Sequence, residues 1–337
     1  MILGLDDLKK VAVGTEEIVE SEKGFEFLRF NKNEQELYKE SPLYKRTYTP
    51  AGIELMFKTD AEIITISLET EKCADRSFFC IDVLKNNEIV GSIKNFDEDK
   101  MIGFYSWTEY PLGEFFETIE LGQGDKEIKI VLPWSVRCFF KKFELKNATY
   151  TEAFQHKNNI LMYGDSITHG YDSIHPSNSY AMRLAKKLNA NCHMKAVGGE
   201  VFWPELAKIK QNIKPDYVTV AYGANDWGNC TKEEFDKNSE CFLEAIAENY
   251  KENKIFVISP IWRKDHTNEG MGFGEPFRYV HNKLEKLCEK YENLIYIDGW
   301  ELVQHDENLY GDLRLHPNDD GFKMYFENLY EKIKEYV

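Results

Sequence analysis

Residues 160–171 read I-L-M-Y-G-D-S-I-T-H-G-Y. An apolar run, Ile160-Leu161-Met162-Tyr163, stops at Gly164-Asp165-Ser166. A buried parallel strand has this look where it hands a side chain to the carboxyl edge of its sheet. Gly164 permits a tight turn, and the residues after it can leave backbone N–H groups facing a ligand. A serine there is placed as a nucleophile, although Gly-Asp-Ser alone is also ordinary turn chemistry. The surrounding chain decides between the two.

Downstream of residue 159, strand and helix patterns alternate. Ser177-Asn178-Ser179 caps a helix through Tyr180, Leu184 and Leu188. A strand over 192–197 ends at Gly198-Gly199, a helix is expected over 201–213, and a strand over 216–222 ends at Gly223-Ala224-Asn225-Asp226. A helix over 235–249, a strand over 254–259, a helix over 277–291, a strand over 294–297 and a helix from Gly321 complete the series. Such alternation predicts a parallel sheet with helices on both faces, its ligand site beyond the carboxyl ends of the strands. The loops at Ser166, Gly199, Asn225 and after Pro260 share that edge.

The first 155 residues have a different texture. Ile64, Ile66 and Leu68 alternate with Thr65, Ser67 and Glu69, a period of two. Phe79, Ile81 and Val83, then Asn86-Asn87 and a run over 89–93, read as a hairpin. Ile119 and Leu121, then Gly122-Gln123-Gly124-Asp125, then Ile128, Ile130 and Leu132, read as a second hairpin, with Phe140, Phe143 and Leu145 closing the set. The pattern predicts an antiparallel, jelly-roll-like sandwich without a catalytic cluster. Trp107 and Trp134 fit core packing better than a sugar-binding face. The weakly periodic stretch 147–159 marks a boundary, giving a β-sandwich unit over 1–155 and an α/β unit over 156–337.

Composition narrows the function. A chain of 337 residues with 42% apolar and 14% aromatic residues has ample material for two cores. No stretch approaches the roughly 20 apolar residues of a membrane span. A formal charge of −16 argues against nucleic acid and polyanionic substrates. The seven cysteines are scattered without a C-x-x-C pair, so neither a metal knuckle nor a disulfide framework is expected. Reduced thiols, and a start lacking a basic segment followed by an apolar one, fit a cytoplasmic protein without a signal peptide.

Acyl transfer through serine needs a base for its proton and donors for the oxyanion. Thr168 stands where a G-x-S-x-G elbow needs glycine, which disfavours an α/β-hydrolase. His316, in Asp312-Leu313-Arg314-Leu315-His316-Pro317-Asn318, lies in a loop stiffened by proline and capped by Asn318-Asp319.

Gly164-Asp165-Ser166-Ile167, the Gly199 turn, Gly223-Ala224-Asn225-Asp226 and His316-Pro317-Asn318 together resemble the four blocks of the SGNH (GDSL) hydrolase superfamily, in the family's order. The resemblance implies a flavodoxin-like three-layer α/β/α fold and ester hydrolysis without metal or cofactor. It implies that Ser166 is the nucleophile and an oxyanion-hole donor, that Gly199 (or the adjacent Gly198) and Asn225 supply the other donors, and that His316 is the base. The family's usual aspartate three residues before the histidine is Leu313 here, with Asp312 one residue further away. Either a shifted backbone brings Asp312 to the ring, or His316 is oriented by a backbone carbonyl as half of a dyad. The two-domain layout is similar to carbohydrate esterase family two.

Tyr171, Asp172, Trp203, Trp227, Trp262 and Arg263, with His266, make the surrounding loops polar and aromatic, suited to stacking on sugars and gripping hydroxyls. Asp165 and Asp226 read as loop-orienting residues. The expectation is a serine esterase removing a short acyl group, acetyl above all, from a small acylated carbohydrate through an acyl-enzyme. Alternatives are a lipase-like or thioester hydrolase of longer chains, a carbohydrate-binding protein with a relict site, and acyl transfer in place of hydrolysis.

Overall fold

The period-two alternation of the first half closes into two antiparallel sheets packed face to face. The computed structural model describes residues 1–268 and 272–337. One sheet runs Glu17–Ser21, Gly24–Leu28, Val136–Lys146, Ile63–Lys72, Glu114–Glu120 in spatial order; the other runs Ala12–Val13, Glu54–Thr59, Lys126–Val131, Cys80–Lys85, Glu88–Lys94, with Thr151–Ala153 also on Glu54–Thr59. Ile64, Ile66 and Leu68 from one sheet and Leu55, Ile81 and Ile130 from the other are fully buried in the shared core. Each such side chain contributes about 1.5–3 kcal/mol relative to exposure.

The first expected hairpin forms: Cys80–Lys85 pairs with Glu88–Lys94 around Asn86 and Asn87, both at positive φ. The second does not. Glu114–Glu120 pairs with Ile63–Lys72 in one sheet, while Lys126–Val131 pairs with Glu54–Thr59 and Cys80–Lys85 in the other. Gly122 (φ 73) and Gly124 (φ 83) therefore carry the chain across the sandwich edge, and alternation reads the same for a crossing as for a hairpin. The strand bearing Phe140, Phe143 and Leu145 is central, not closing. Short helices at Leu5–Val11 and Lys32–Tyr38 interrupt the all-β expectation; Asn31 and Glu34 form a capping box on the second.

The second half builds a five-stranded parallel sheet in the order Ala190–Met194, Asn158–Gly164, Tyr217–Ala221, Ile255–Ile258, Leu294–Ile297. In chain order this is 2-1-3-4-5, the flavodoxin-like doubly wound arrangement, whose ligand crevice lies between strands 1 and 3. Ser166 follows strand 1 and Asn225 follows strand 3. Helices Tyr180–Lys187, Lys232–Asn249, Arg278–Cys288 and Asp319–Ile333 complete the layers. Thr231 and Glu234 box the start of the long helix, and Asn318 caps the last through Gly321 N at 3.0 Å. The helix expected over 201–213 shrinks to Pro204–Ala207. Trp203, preceding proline, is held extended at φ −119, ψ 96, so the helix cannot begin earlier. Among the described residues no helix is long and apolar enough to cross a membrane, and all seven cysteines are free.

His175 pins the two halves together. Its Nδ1 lies 2.7 Å from Asp82 and its Nε2 2.9 Å from Glu98, both on the sandwich. Burial opposes its charge, but the bonds to Asp82 and Glu98 and the nearby Asp319 push the imidazole up to about 9. A histidine raised in the folded state contributes stability that is complete below about pH 6.5, the unfolded value, and lost as pH rises through about 9. The thermal midpoint is thus expected to fall between those limits, and His175→Gln to flatten that segment of the pH–stability curve. An unchanged slope in the variant would assign the effect elsewhere.

Candidate active site

Glycine is obligatory where the first strand ends. A Cβ on Gly164 would lie 2.3 Å from Thr168 Oγ1 and 3.0 Å from Ala221 O. The strand therefore turns tightly into the short helix Ser166–His169, whose cap is Asp165, accepting from Ile167 N at 3.0 Å. Burial pushes the Asp165 carboxyl up to about 6 against that bond and the charges of His316 and Arg263. Ser166 is placed at the helix start, 5% exposed, with Oγ 2.8 Å from His316 Nε2.

Beyond His316, Nδ1 is 2.7 Å from Asp312 Oδ2. The other oxygen, Oδ1, accepts from the backbone N–H groups of Arg314, Leu315 and His316 at 2.9, 2.7 and 3.0 Å. Burial would raise this carboxyl, yet His316 and the backbone donors hold it well below the usual carboxylate range. An ionised carboxylate only accepts, so Nδ1 carries the proton and donates, and Nε2 is left to accept from the serine hydroxyl. The extra residue between acid and base is absorbed at Leu313, which adopts φ 53. Leucine in the left-handed region costs about 1–2 kcal/mol. The three N–H bonds to Asp312, and the pairing of Tyr310 with Pro317 that closes the loop, offset it. The structure thus brings Asp312, not a backbone carbonyl, to the ring. Asp298, just after the last strand, pairs with Arg278 and accepts from the N–H of Trp300.

The two remaining loops meet beside Ser166. Asn225 Nδ2 donates to Glu200 O at 3.0 Å, tying the third strand's loop to the Gly199 loop. Gly198 N–H is committed to His169 Nδ1 at 3.1 Å. Among the described residues neither Ser166 N–H nor Gly199 N–H donates to a protein acceptor. Asp226 accepts from Phe202 N at 3.0 Å and so orients this loop.

The residues expected to face substrate are placed differently. Tyr171, Asp172, Trp227, Trp262 and Arg263 are buried. Tyr171 packs between Trp134 and the His316 ring, centroids 4.7 and 5.6 Å away. The Trp227 indole donates to Glu275 O at 3.0 Å, Trp262 stacks on His305 at 5.5 Å, and Arg263 grips Asp265 and Ala224 O. Half-buried Trp203 sets its edge against Tyr38. Asp172, Trp227 and Arg263 spend their polar groups inside the protein, and the Tyr171 hydroxyl is buried without a hydrogen-bond partner, so these residues shape the loops and offer no open sugar face. Trp107 reverses the expectation: it is 56% exposed, with the Arg76 guanidinium 4.0 Å from its ring.

Sequence reading also missed what the sandwich contributes. Arg76 donates to Asp172 Oδ1 at 2.8 Å, Ser106 donates to Oδ2 at 2.6 Å, and Tyr105 donates to the Asp172 carbonyl at 2.6 Å. Asp172 Oδ2 lies 3.7 Å from His316 Nδ1. Isolated arginines and a serine in a β-rich half carry no spacing that announces such a role. Among the described residues two groups, Asp172/Asp312/His316 and Cys80/Asp82/His175, are tight enough to share an ion. In each, the histidine Nδ1 is already paired with a carboxylate.

A family model described as the GDSL-like Lipase/Acylhydrolase family matches residues 162–324. Comparison with curated proteins by sequence finds no match. Among solved structures, the salicylyl-acyltransferase SsfX3 from a tetracycline biosynthetic pathway superposes with TM-score 0.80 at 17% identity, covering 99% of this chain and 97% of that one. A family two carbohydrate esterase from Clostridium thermocellum, in complex with cellohexaose, gives 0.62 at 15% identity over 85% and 93%. An acetyl xylan esterase from the rumen bacterium Butyrivibrio proteoclasticus gives 0.62 at 13% identity over 99% and 98%. At these identities the likeness is one of fold.

Proposed function

We propose, from the match of residues 162–324 to the GDSL-like lipase/acylhydrolase family, a serine esterase of the SGNH type that removes a short acyl group, acetyl foremost, from a carbohydrate. The observation that carries the chemistry is the unbroken relay Ser166–His316–Asp312, at 2.8 and 2.7 Å. Ser166 Oγ attacks the ester carbonyl while its proton passes to His316 Nε2, and Asp312 stabilises the imidazolium. The oxyanion is met by the N–H groups of Ser166 and Gly199 and by Asn225 Nδ2. Collapse expels the sugar hydroxyl, which takes the proton from His316, and water repeats the sequence on the acyl-serine.

The choice of substrate has separate support. Sandwich-plus-SGNH layouts in carbohydrate and acetyl xylan esterases share this fold over most of both chains. Trp107 offers a flat exposed face above Arg76, which leads through Asp172 to His316. In this reading the chain works as two units, 1–155 and 156–337, with the first shaping the site of the second.

The test is a comparison of kcat/KM on aryl acetate, butyrate and octanoate and on acetylated xylo- and cello-oligosaccharides. The expected order is acetate above butyrate above octanoate, with an acetylated oligosaccharide surpassing the aryl acetate. A preference for octanoate would replace the carbohydrate reading by a lipase-like one. The fold shared with an acyltransferase makes one further arm worthwhile: product ester rising with added alcohol, at unchanged acyl-enzyme formation, would make transfer the reaction.

A further inference from the structure

The peptide joining Gly198 to Gly199 is held from the sandwich side by one guanidinium. Arg46, on the 3-10 turn Tyr44–Tyr48, donates through Nη1 to Gly198 O at 2.6 Å. Its Nη2 reaches both carboxylate oxygens of Asp75 at 2.6 Å, so the guanidinium is itself braced. Contact with the loop is direct: a Cβ on Gly199, which sits at φ 84, would come within 2.7 Å of Arg46 Nη1.

The C=O of one residue and the N–H of the next belong to a single rigid plane and point in opposite directions across a trans peptide. A bond that fixes Gly198 C=O therefore fixes where Gly199 N–H points. A cationic donor on the carbonyl oxygen also polarises the amide, making its N–H a stronger donor. The neighbouring residues are secured too, from both halves of the chain. Arg29 Nη1 donates to Ala196 O at 2.7 Å and Met194 O at 3.2 Å. Thr49 sits 2.7 Å from His169 Nε2, and His169 Nδ1 accepts Gly198 N–H. Burial, with Arg29 and Arg46 nearby, holds His169 well below its ordinary value and so neutral, as that acceptor role requires. Tyr38 and Tyr222 both donate to the Glu200 carboxyl. The N–H groups of Val197, Gly198, Glu200 and Phe202 are thus committed, while that of Gly199 donates to no protein acceptor among the described residues.

Resting on the esterase reading above, we propose that Arg46 is a positioning residue for the oxyanion hole. It acts through the Gly198–Gly199 peptide, aiming and strengthening the Gly199 N–H, and does not touch substrate. The oxyanion hole is then shared between the two halves of the chain: the α/β part supplies the donors and the sandwich sets the direction of one of them.

Removing an oxyanion donor outright lowers kcat by about 100- to 1,000-fold, so loosening one should lower it by about 10- to 100-fold. Arg46→Ala is expected to lose that much kcat on aryl acetate with KM held within about two-fold, because only the transition state presents the oxyanion. Arg46→Lys should recover part of the loss, since an ammonium still donates to Gly198 O but cannot span to Asp75. The second readout is methaneboronic acid, whose boron accepts a lone pair of Ser166 Oγ while the hydroxyl proton passes to His316, leaving a tetrahedral adduct. Its affinity should fall by the same factor as kcat/KM in Arg46→Ala. Asp75→Asn, which frees one end of the guanidinium, should shift both quantities in the same direction by less, and it serves if Arg46→Ala does not fold. Parental kcat and boronate affinity in a folded Arg46→Ala would overturn the proposal, as would a kcat loss with boronate affinity unchanged. Asn225→Ala separates this from the reading beneath it. If Asn225→Ala and Arg46→Ala are both harmless, the oxyanion assignment itself fails; if only Arg46→Ala is, the proposal alone does.

Discussion

Ser166→Ala is expected to lower kcat on aryl acetate by about a million-fold, leaving KM and the thermal midpoint near parental values. Alanine removes only Oγ, so the backbone N–H of residue 166, the Gly164 turn and the Asp165 cap all persist. What remains is the contribution of the oxyanion donors and of binding. His316→Ala should cost nearly as much, because a serine hydroxyl without a base 2.8 Å away is a poor nucleophile. The double variant should be little worse than either single one, since the two groups act in one proton transfer. Additive losses would mean that Ser166 and His316 serve separate steps.

Asp312→Asn should lower kcat by about a thousand- to ten-thousand-fold while preserving the loop. Asparagine retains an oxygen for the three N–H groups that Asp312 Oδ1 now accepts. Its amide nitrogen would then face His316 Nδ1 and donate to it, driving the imidazole to the tautomer whose Nε2 carries the proton. That tautomer cannot accept from Ser166. The substitution also removes an acid-side contribution to stability. A carboxyl depressed on folding stabilises above its unfolded value near 3.9, and the contribution is lost as pH falls through the depressed value. The parent should therefore show a steeper loss of stability below about pH 4 than Asp312→Asn. Asp172 is the control: at 3.7 Å, and already bound by Arg76 and Ser106, it is expected to matter less to kcat. A larger loss in Asp172→Asn than in Asp312→Asn would transfer the acid role to Asp172.

The parallel sheet was legible because its strands are continuous apolar runs that end at or near a glycine. Ile160 to Tyr163, and Leu294 to Ile297, leave little room for another element. The strand-end loops were legible for the same reason, since Gly164, Gly199 and Gly223 stand where the backbone must turn or be approached closely. What escaped depends on long-range partners. The Gly122–Asp125 turn crosses between sheets because of which strands accept its neighbours, and alternation does not encode that. Leu313 turns left-handed because Asp312 collects three N–H groups and a ring, a compensation visible only in three dimensions. Aromatic residues near the motifs were read as a sugar platform, but a large ring beside a catalytic loop also packs that loop, and for Trp227 and Trp262 packing prevails. The arginines of the sandwich were silent in sequence, since a buried guanidinium is recognised by the carbonyls and carboxylates around it.

The measurement that bears most directly on the account is covalent trapping: rapid quench of the parent protein with excess aryl acetate, then digestion and mass analysis. The expected result is one acetyl group on the peptide carrying Ser166, formed within the first turnover and lost at the rate of steady-state hydrolysis. An acetyl group on another side chain that forms and decays at the turnover rate, or full turnover in Ser166→Ala, would contradict it.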